Sequence, residues 1–496
     1  MSTNSLAKKI TSFLNSGKDY PLLAAVAAGL YPILFYYSRN FTMVNSWDHL
    51  LFFLLAFIFV PAIVFFAACK LFSLDRLNSY KKYILPFLNM LAFLYFLKLC
   101  LFVGPQRKIV AAIIVVSAVY AYLFHAHLKK IMVVQWLLAG MGVIALLNTL
   151  NAYAQYDEDW LQQPDAIVEA TFRKKPNVYF IQPDGYINPS EFGKGHYTTT
   201  NDGFHHFLQE NGFVLYDNFR SNYNTTLSSN AAIFGMRHHY FKRDAISNEV
   251  YRARELIMGK NPVLQTFKNN GYKTYFIFET PYLLLNRPAL AYDESNISYS
   301  SFNYIHNGIG DPRPVLPPLH VAVSDKIEQP KFIFMQLLKP WHIRSHKAHS
   351  RGTAEERAAW YDRLEEANSI LTSAVNTILE QDPGALIILM SDHGGYVGME
   401  YTDQTFTKSQ DRDLIYSVFS SILAIHWPEG EAPSFDSEFA SSVNMFRIVF
   451  AYLSENASYL ETLEEDASYV VLREGAEEGI YKYLNDAGEI VFEPLD

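Results

Sequence analysis

The sequence predicts a five-helix membrane anchor followed by an α/β domain with a mainly parallel sheet covered by helices. Three observations lead there. Five apolar stretches fill residues 1–150, each near the roughly 20 residues that cross a bilayer. Charge divides the chain: residues 1–150 hold thirteen Lys/Arg against Asp19, Asp48 and Asp75, whereas the remainder holds 28 basic and 47 acidic residues, a balance of −19 within an overall −9. Beyond residue 176, runs rich in Ile, Phe and Val alternate with helical patterns, as in sheets buried on both faces.

The spans are expected at about 20–38, 50–69, 83–103, 109–126 and 131–150. The second and fifth are uncharged, and the third carries Pro86, Asn89 and Lys98. Lys8, Lys9 and Lys18 precede the first span, but no small-residue cleavage site follows it, so it reads as an anchor and not as a removed signal. Basic residues favour the cytoplasmic side of short loops. Lys8, Lys9, Lys18, Lys70, Arg76, Lys81, Lys82, Lys129 and Lys130 fall on one side, and Arg39, Arg107 and Lys108 on the other. That distribution predicts a cytoplasmic N-terminus and, after five crossings, a periplasmic or extracellular rear part. Lys98 alone is too little intramembrane charge for a transporter.

A polar stretch at 151–175 reads as a juxtamembrane linker, and 176–496 as the outer domain. Strands are expected at 177–182, 273–278, 331–338, 385–390 and 420–426. A helix preceding the second strand is bracketed by Pro262 and Gly271. A long helix begins at a Thr353/Glu356 capping box, presents Trp360, Leu364, Ala367, Leu371, Ala374 and Ile378 on one face, and stops at Asp382-Pro383-Gly384. A further helix is expected at 443–453, and the Pro-rich stretch 311–318 reads as a loop.

Half the residues are hydrophobic and 15% aromatic, which argues against disorder. The acidic rear part would repel a phosphate backbone, which excludes nucleic-acid binding. Cys69 and Cys100 both sit in apolar runs, leaving no disulfide framework, no cysteine zinc site and no cysteine nucleophile in the polar part.

In parallel sheets, ligands bind beyond the carboxyl ends of the strands. Ser391-Asp392-His393-Gly394-Gly395 stands at such an end. A carboxylate beside an imidazole can hold one metal ion, and the glycines let the backbone turn around it. Asp184, after the first strand, would add a second carboxylate, although Pro183-Asp184-Gly185 is equally an ordinary turn. In Ser221-Asn222-Tyr223-Asn224-Thr225-Thr226, a threonine hydroxyl at a helix entrance is either a cation-activated nucleophile or a plain N-cap. Pro340-Trp341-His342-Ile343 follows the third strand. Arg344, His346, Lys347 and His349 after it read as a solvated basic loop facing an anionic substrate.

The segments 177–185, Asn222-Tyr223 with the threonines behind it, and Ser391-Asp392-His393-Gly394 resemble the sulfatase-like branch of the alkaline phosphatase superfamily. With the five-helix anchor, the architecture is similar to lipoteichoic acid synthases and lipid A phosphoethanolamine transferases. The resemblance implies an alkaline phosphatase/sulfatase-like fold and one divalent metal ion on Asp184, Thr226, Asp392 and His393. Mn or Zn ranks ahead of Mg, because imidazole is a poor partner for Mg. It further implies Thr226 as nucleophile, three positions after Asn222-Tyr223, His342 as a catalytic or substrate-binding histidine, and Arg344 as a substrate contact. The donor would be a membrane phospholipid and the acceptor an envelope glycan or lipid, at a bacterial-type plasma membrane. The Cys/Ser-x-Pro-x-Arg signature of formylglycine sulfatases is absent, and the His342 element departs from the family's usual His-x-Pro or Pro-His spacing. A sulfatase or phosphodiesterase using water, and an inactive envelope-binding module, are the alternatives.

Overall fold

The computed structural model describes residues 3–102, 104–241, 250–310 and 312–495. The chain forms two compact units: residues up to Gln155 with Leu285–Arg287 and Phe302–Asn307, and the remainder.

The first unit holds five long apolar helical runs among its described residues: Pro21–Val44, Trp47–Leu71 with a π-helical turn at Leu55–Phe59, Lys81–Leu101, Arg107–Phe124 and Leu128–Ala154. The expected end of the third at Val103 lies outside the described residues. Side-chain pairs give the directions. Tyr83, early in the third run, meets Tyr122 and His125 at the end of the fourth, so these two are antiparallel. In the fifth, Lys129 bonds to the Ser16 carbonyl and Thr149 to that of Ser38, so it runs parallel to the first. The chain therefore reverses over the short turn His125–His127.

Asn89, one of the polar residues of the third run, is buried. Its amide donates to the Ala24 carbonyl at 2.8 Å and exchanges bonds of 3.0 and 3.1 Å with Gln135. A buried carboxamide without partners is costly, and this reciprocal pair lets three helices share one. The first run offers Ala24, Ala25, Ala27, Ala28 and Gly29 as a buried small-residue face. A Cβ on Gly29 would lie 2.0 Å from the Phe57 carbonyl oxygen, so only glycine permits this approach.

In the second unit a seven-stranded sheet has the order β2-β7-β6-β1-β5-β3-β4. The strands are β1 Val178–Pro183, β2 Phe213–Leu215, β3 Lys273–Phe278, β4 Glu294–Ser295, β5 Lys331–Leu337, β6 Leu386–Met390 and β7 Leu423–His426. β1 pairs in parallel with β5 and β6, and β3 and β4 extend that parallel part. β7 is antiparallel to β6 and to β2. Alternate side chains of β1 serve two cores. Tyr179 and Ile181 pack with Leu364, Leu371 and Ile378 of the long helix, while Phe180 meets Phe234, Phe334 and Phe446 on the other face. Burial on both sides is why the strand reads as an unbroken apolar run. A separate antiparallel sheet has the order β10-β9-β8, comprising β8 Ser468–Leu472, β9 Gly479–Leu484 and β10 Ile490–Pro494.

Four expectations change. The long helix spans Thr353–Gln381, but its N-cap is Gly352 and no capping box forms. Glu356 instead accepts the backbone N–H groups of Arg344 and Arg351, at 3.1 and 3.2 Å. Of the stretch read as a loop at 311–318, Asp311 lies outside the described residues, and Leu316–Ser324 is helical, its prolines tolerated in a first turn that lacks N–H partners. The helix expected at 443–453 runs Met445–Ser454. Residues 151–175, expected as a linker, continue the last apolar helix to Ala154 and then pack, with Ile167 and Phe172 buried.

Candidate active site

The carboxyl ends of β1 and β6 lie side by side. Asp184 follows β1 directly. Its N–H donates to the Leu337 carbonyl at 2.8 Å and its carbonyl accepts from Trp341 N–H at 2.7 Å, which ties it to the end of β5. Gly185 has φ +72, and a Cβ there would fall 2.5 Å from the Trp341 carbonyl oxygen. Gly185→Ala is therefore expected to destabilise the domain by roughly 1–3 kcal/mol and to displace Asp184. Denaturation of the purified chain measures the first effect and metal titration the second.

After β6, Ser391 accepts from Tyr186 N–H at 2.9 Å and donates to the His393 carbonyl at 2.7 Å, folding the turn back on itself. A Cβ on Gly394 would lie 2.3 Å from the Ser417 carbonyl oxygen, so this turn too needs glycine. The His393 ring pairs Nδ1 with the Gly394 carbonyl at 2.9 Å. A carbonyl only accepts, so Nδ1 carries the proton and Nε2 presents a lone pair. That Nε2 is 3.5 Å from Asp184 Oδ1, 3.6 Å from Asp392 Oδ2 and 3.4 Å from Thr226 Oγ1.

Asp184, Asp392 and His393 are all buried, each with a ligand atom within 4.8 Å of the others. Among the described residues, Asp184 Oδ1 and Asp392 Oδ2 have no hydrogen-bond partner. Two unpaired carboxylate oxygens, a lone-pair nitrogen and a hydroxyl form an acceptor-rich set that lacks only a cation. Ligand bonds near 2.0 Å in a tetrahedral shell put neighbouring donors about 3.3 Å apart, close to the spacings around Nε2. The residues present fit a divalent metal ion. Without one, burial pushes the Asp184 carboxyl well above the usual range, and the charges of Asp392 and Glu279 push it further.

The two threonines have different positions. Thr225 is the N-cap of the Thr226–Gly235 helix: its oxygen accepts from Ser228 N–H at 3.3 Å and its hydroxyl donates to Ser228 Oγ at 3.0 Å. Thr226 is the first helical residue and turns its hydroxyl to His393. The preceding loop is pinned by Asn222, whose amide bonds Ser441, Ser442, Val443 and Ala467. One turn further on, Asn230 exchanges bonds of 2.8 and 3.0 Å with Gln182 of β1, which also accepts from Gln336 of β5.

Beneath this helix, His239 accepts Phe241 N–H at Nδ1 and pairs Nε2 with the Ser228 carbonyl, which requires the neutral ring. Burial holds it down to about 3. A depressed histidine contributes stability that is complete above its unfolded value near 6.5 and is lost as pH falls toward the folded value. This ring alone is expected to remove up to about 1.4 kcal/mol per pH unit below that point. Thermal midpoints against pH, compared with His239→Gln, check it.

His342 reaches the site's edge, its ring 6.0 Å from that of His393 and 5.7 Å from that of Tyr396. Nδ1 pairs with the Ile343 carbonyl at 2.6 Å, and burial, then the neighbouring His393, holds the ring down to about 3, so it is neutral. Arg344 is not brought in. It is exposed, and among the described residues no hydrogen bond joins its guanidinium to the cluster. His346 pairs with Asp403 at 2.7 Å in the exposed loop. Sequence reading missed Arg363, which donates to the carbonyls of Pro340 at 2.7 Å and His342 at 3.3 Å and whose charge draws the Asp184 carboxyl down. It also missed Tyr396, whose hydroxyl donates to the Asn224 carbonyl, and Glu279, which accepts Leu338 N–H at 2.7 Å and Lys339 Nζ at 3.1 Å. No motif marks these three, which arrive from other elements of the fold.

No family model and no curated protein matches the chain. Solved structures do. The C-terminal periplasmic domain of EcEptC from Escherichia coli is 12% identical with a TM-score of 0.42, over 63% of this chain and 95% of that one. The same domain in complex with Zn gives 12% and 0.39, over 57% and 85%. The lipoteichoic acid synthase LtaP from Listeria monocytogenes gives 12% and 0.41, over 66% and 90%.

Proposed function

We propose that the chain is a membrane-anchored, metal-dependent phosphoryl-group transferase that works through Thr226. The observation that carries this reading is the meeting of a threonine hydroxyl with two buried carboxylates, each with an unpartnered oxygen among the described residues, and an imidazole lone pair at adjacent strand ends. Asp184, Asp392 and His393, with Thr226 beside them, would hold a divalent ion, whose positive charge would lower the hydroxyl's pKa and offset the negative charge of a phosphoryl group. The donor set and its spacing favour Zn or Mn over Mg.

Thr226 sits where the first-turn N–H groups of its helix attract anionic oxygens. Its Oγ attacks phosphorus, the bond from phosphorus to the lipid alcohol breaks, and a phosphothreonine ester forms. His342, neutral and with Nδ1 committed, offers Nε2 as proton acceptor and later as donor. An acceptor hydroxyl then attacks the ester and releases Thr226. The apolar helical runs support a phospholipid donor, with a phosphoethanolamine or phosphoglycerol headgroup passed to an envelope glycan or lipid outside the cytoplasmic membrane.

Incubating the full chain with phosphatidylethanolamine or phosphatidylglycerol vesicles, followed by peptide mass spectrometry, tests this. A headgroup-phosphate adduct on Thr226 is expected and names the donor. Lipid turnover with no adduct, undiminished in Thr226→Ala, would overturn the nucleophile.

A further inference from the structure

The Thr3–Asn15 helix precedes the first apolar run and belongs to none of the machinery above. At 100° per residue, Ala7, Ile10, Phe13 and Leu14 share one face, and Lys8, Thr11, Ser12 and Asn15 occupy the other, with Lys9 at the border. Ile10 is exposed, and Phe13 and Leu14 are only half-buried. The helix's end is held in place. Phe13 lies against Tyr20 at 5.3 Å, Lys129 sits over both rings at 5.8 and 5.6 Å, and Lys129 Nζ donates to the Ser16 carbonyl.

The up-and-down order of the five runs sends this helix, the 72–80 connection and the His125–His127 turn to the same end of the unit. Nine of the twelve basic residues outside the spans gather there, against Asp19 and Asp75. An apolar stripe with a lysine-bearing back, at the basic end of a helical array, complements a surface with an apolar interior and an anionic skin.

We propose that the Thr3–Asn15 helix lies in the headgroup plane of the leaflet at this end, Ile10, Phe13 and Leu14 in the acyl boundary, and that it binds anionic phospholipids. Lys8 and Lys9 stand over the lipid phosphates, with Lys9 snorkelling from the border of the stripe. The Lys129 contacts hold the far end, and the equilibrium is whether the exposed part of the helix, residues 7–12, rests on the leaflet or stands in water. Each lysine changes that equilibrium about fivefold on an anionic surface. This inference is independent of the reaction proposed for the outer domain.

The test uses the full chain with Cys69→Ala and Cys100→Ala, carrying a nitroxide on Ile10→Cys or Ser12→Cys. The protein is reconstituted into nanodiscs of phosphatidylcholine alone or mixed with phosphatidylglycerol. The ratio of oxygen to aqueous nickel-chelate accessibility is expected to be several-fold higher at position 10 than at 12. That contrast is expected to grow with phosphatidylglycerol, and Lys8→Gln with Lys9→Gln to lose most of the growth. Equal aqueous exposure at both positions overturns the proposal. So does protection of position 10 from both reagents, which marks a protein contact. A contrast indifferent to phosphatidylglycerol overturns the anionic preference.

Discussion

Thr226→Ala is expected to lower turnover by roughly 10^4-fold or more, the scale on which losing a nucleophile acts, without unfolding the domain. The side chain is small, and its hydroxyl makes no bond to the helix it begins. Two carboxylates and an imidazole remain to hold an ion, so metal content should persist at reduced affinity. Thr225→Ala is the informative contrast. It removes the N-cap and should cost about 1 kcal/mol of stability while the reaction continues. Headgroup release from vesicles, beside thermal melts of both variants, separates the roles. Loss of turnover in Thr225→Ala alone would reassign the nucleophile.

The second large effect falls on metal binding. Asp184→Asn and Asp392→Asn are each expected to abolish stoichiometric Zn or Mn binding, read by elemental analysis of the dialysed chain. Both are also expected to stabilise the metal-free protein, by roughly 1–2 kcal/mol, because each replaces a buried carboxyl group, one oxygen of which has no partner among the described residues. The pH dependence has a definite sign. The Asp184 carboxyl is raised above its unfolded value, so a stability penalty on the metal-free fold builds as pH rises from the unfolded carboxyl range and is complete above the folded pKa. That penalty shrinks as the group protonates on acidification. The melting difference between Asp184→Asn and the parent should therefore be larger at neutral pH than in acid, and saturating metal should reverse it. A metal-free parent that melts above both variants would show that the site is not strained.

The two faces of the sheet explain what could be read from the chain. β1, β3 and β5 stood out because burial on both sides leaves them nearly free of polar residues. β2 and β4 are three- and two-residue edge strands with no room for a pattern, and β9 and β10 mix charged and apolar positions in a small sheet. The Thr353/Glu356 pair met the spacing of a capping box, yet Gly352, at φ +94, took the cap and Glu356 was drawn to two backbone amides from the preceding loop. Local pattern yielded there to a tertiary partner. Asp184, Asp392 and His393 were visible because strand ends advertise themselves. Arg363 was not, since it faces the 340–342 turn from the middle of a 29-residue helix. Nothing in its own neighbourhood distinguishes it from a solvated charge.

The position of β1 bears on how the domain is made. It is the first strand of its sheet in chain order, and all six of its residues are buried at the end. Its neighbours β5 and β6 begin only at Lys331 and Leu386. A chain delivered in order must hold an apolar ribbon with two open edges while most of the domain follows, the slow, non-local pairing that invites aggregation. If the cluster at the ends of β1 and β6 holds a metal ion as proposed, those two strands must already be joined for it to bind, and uptake of metal would report a finished fold.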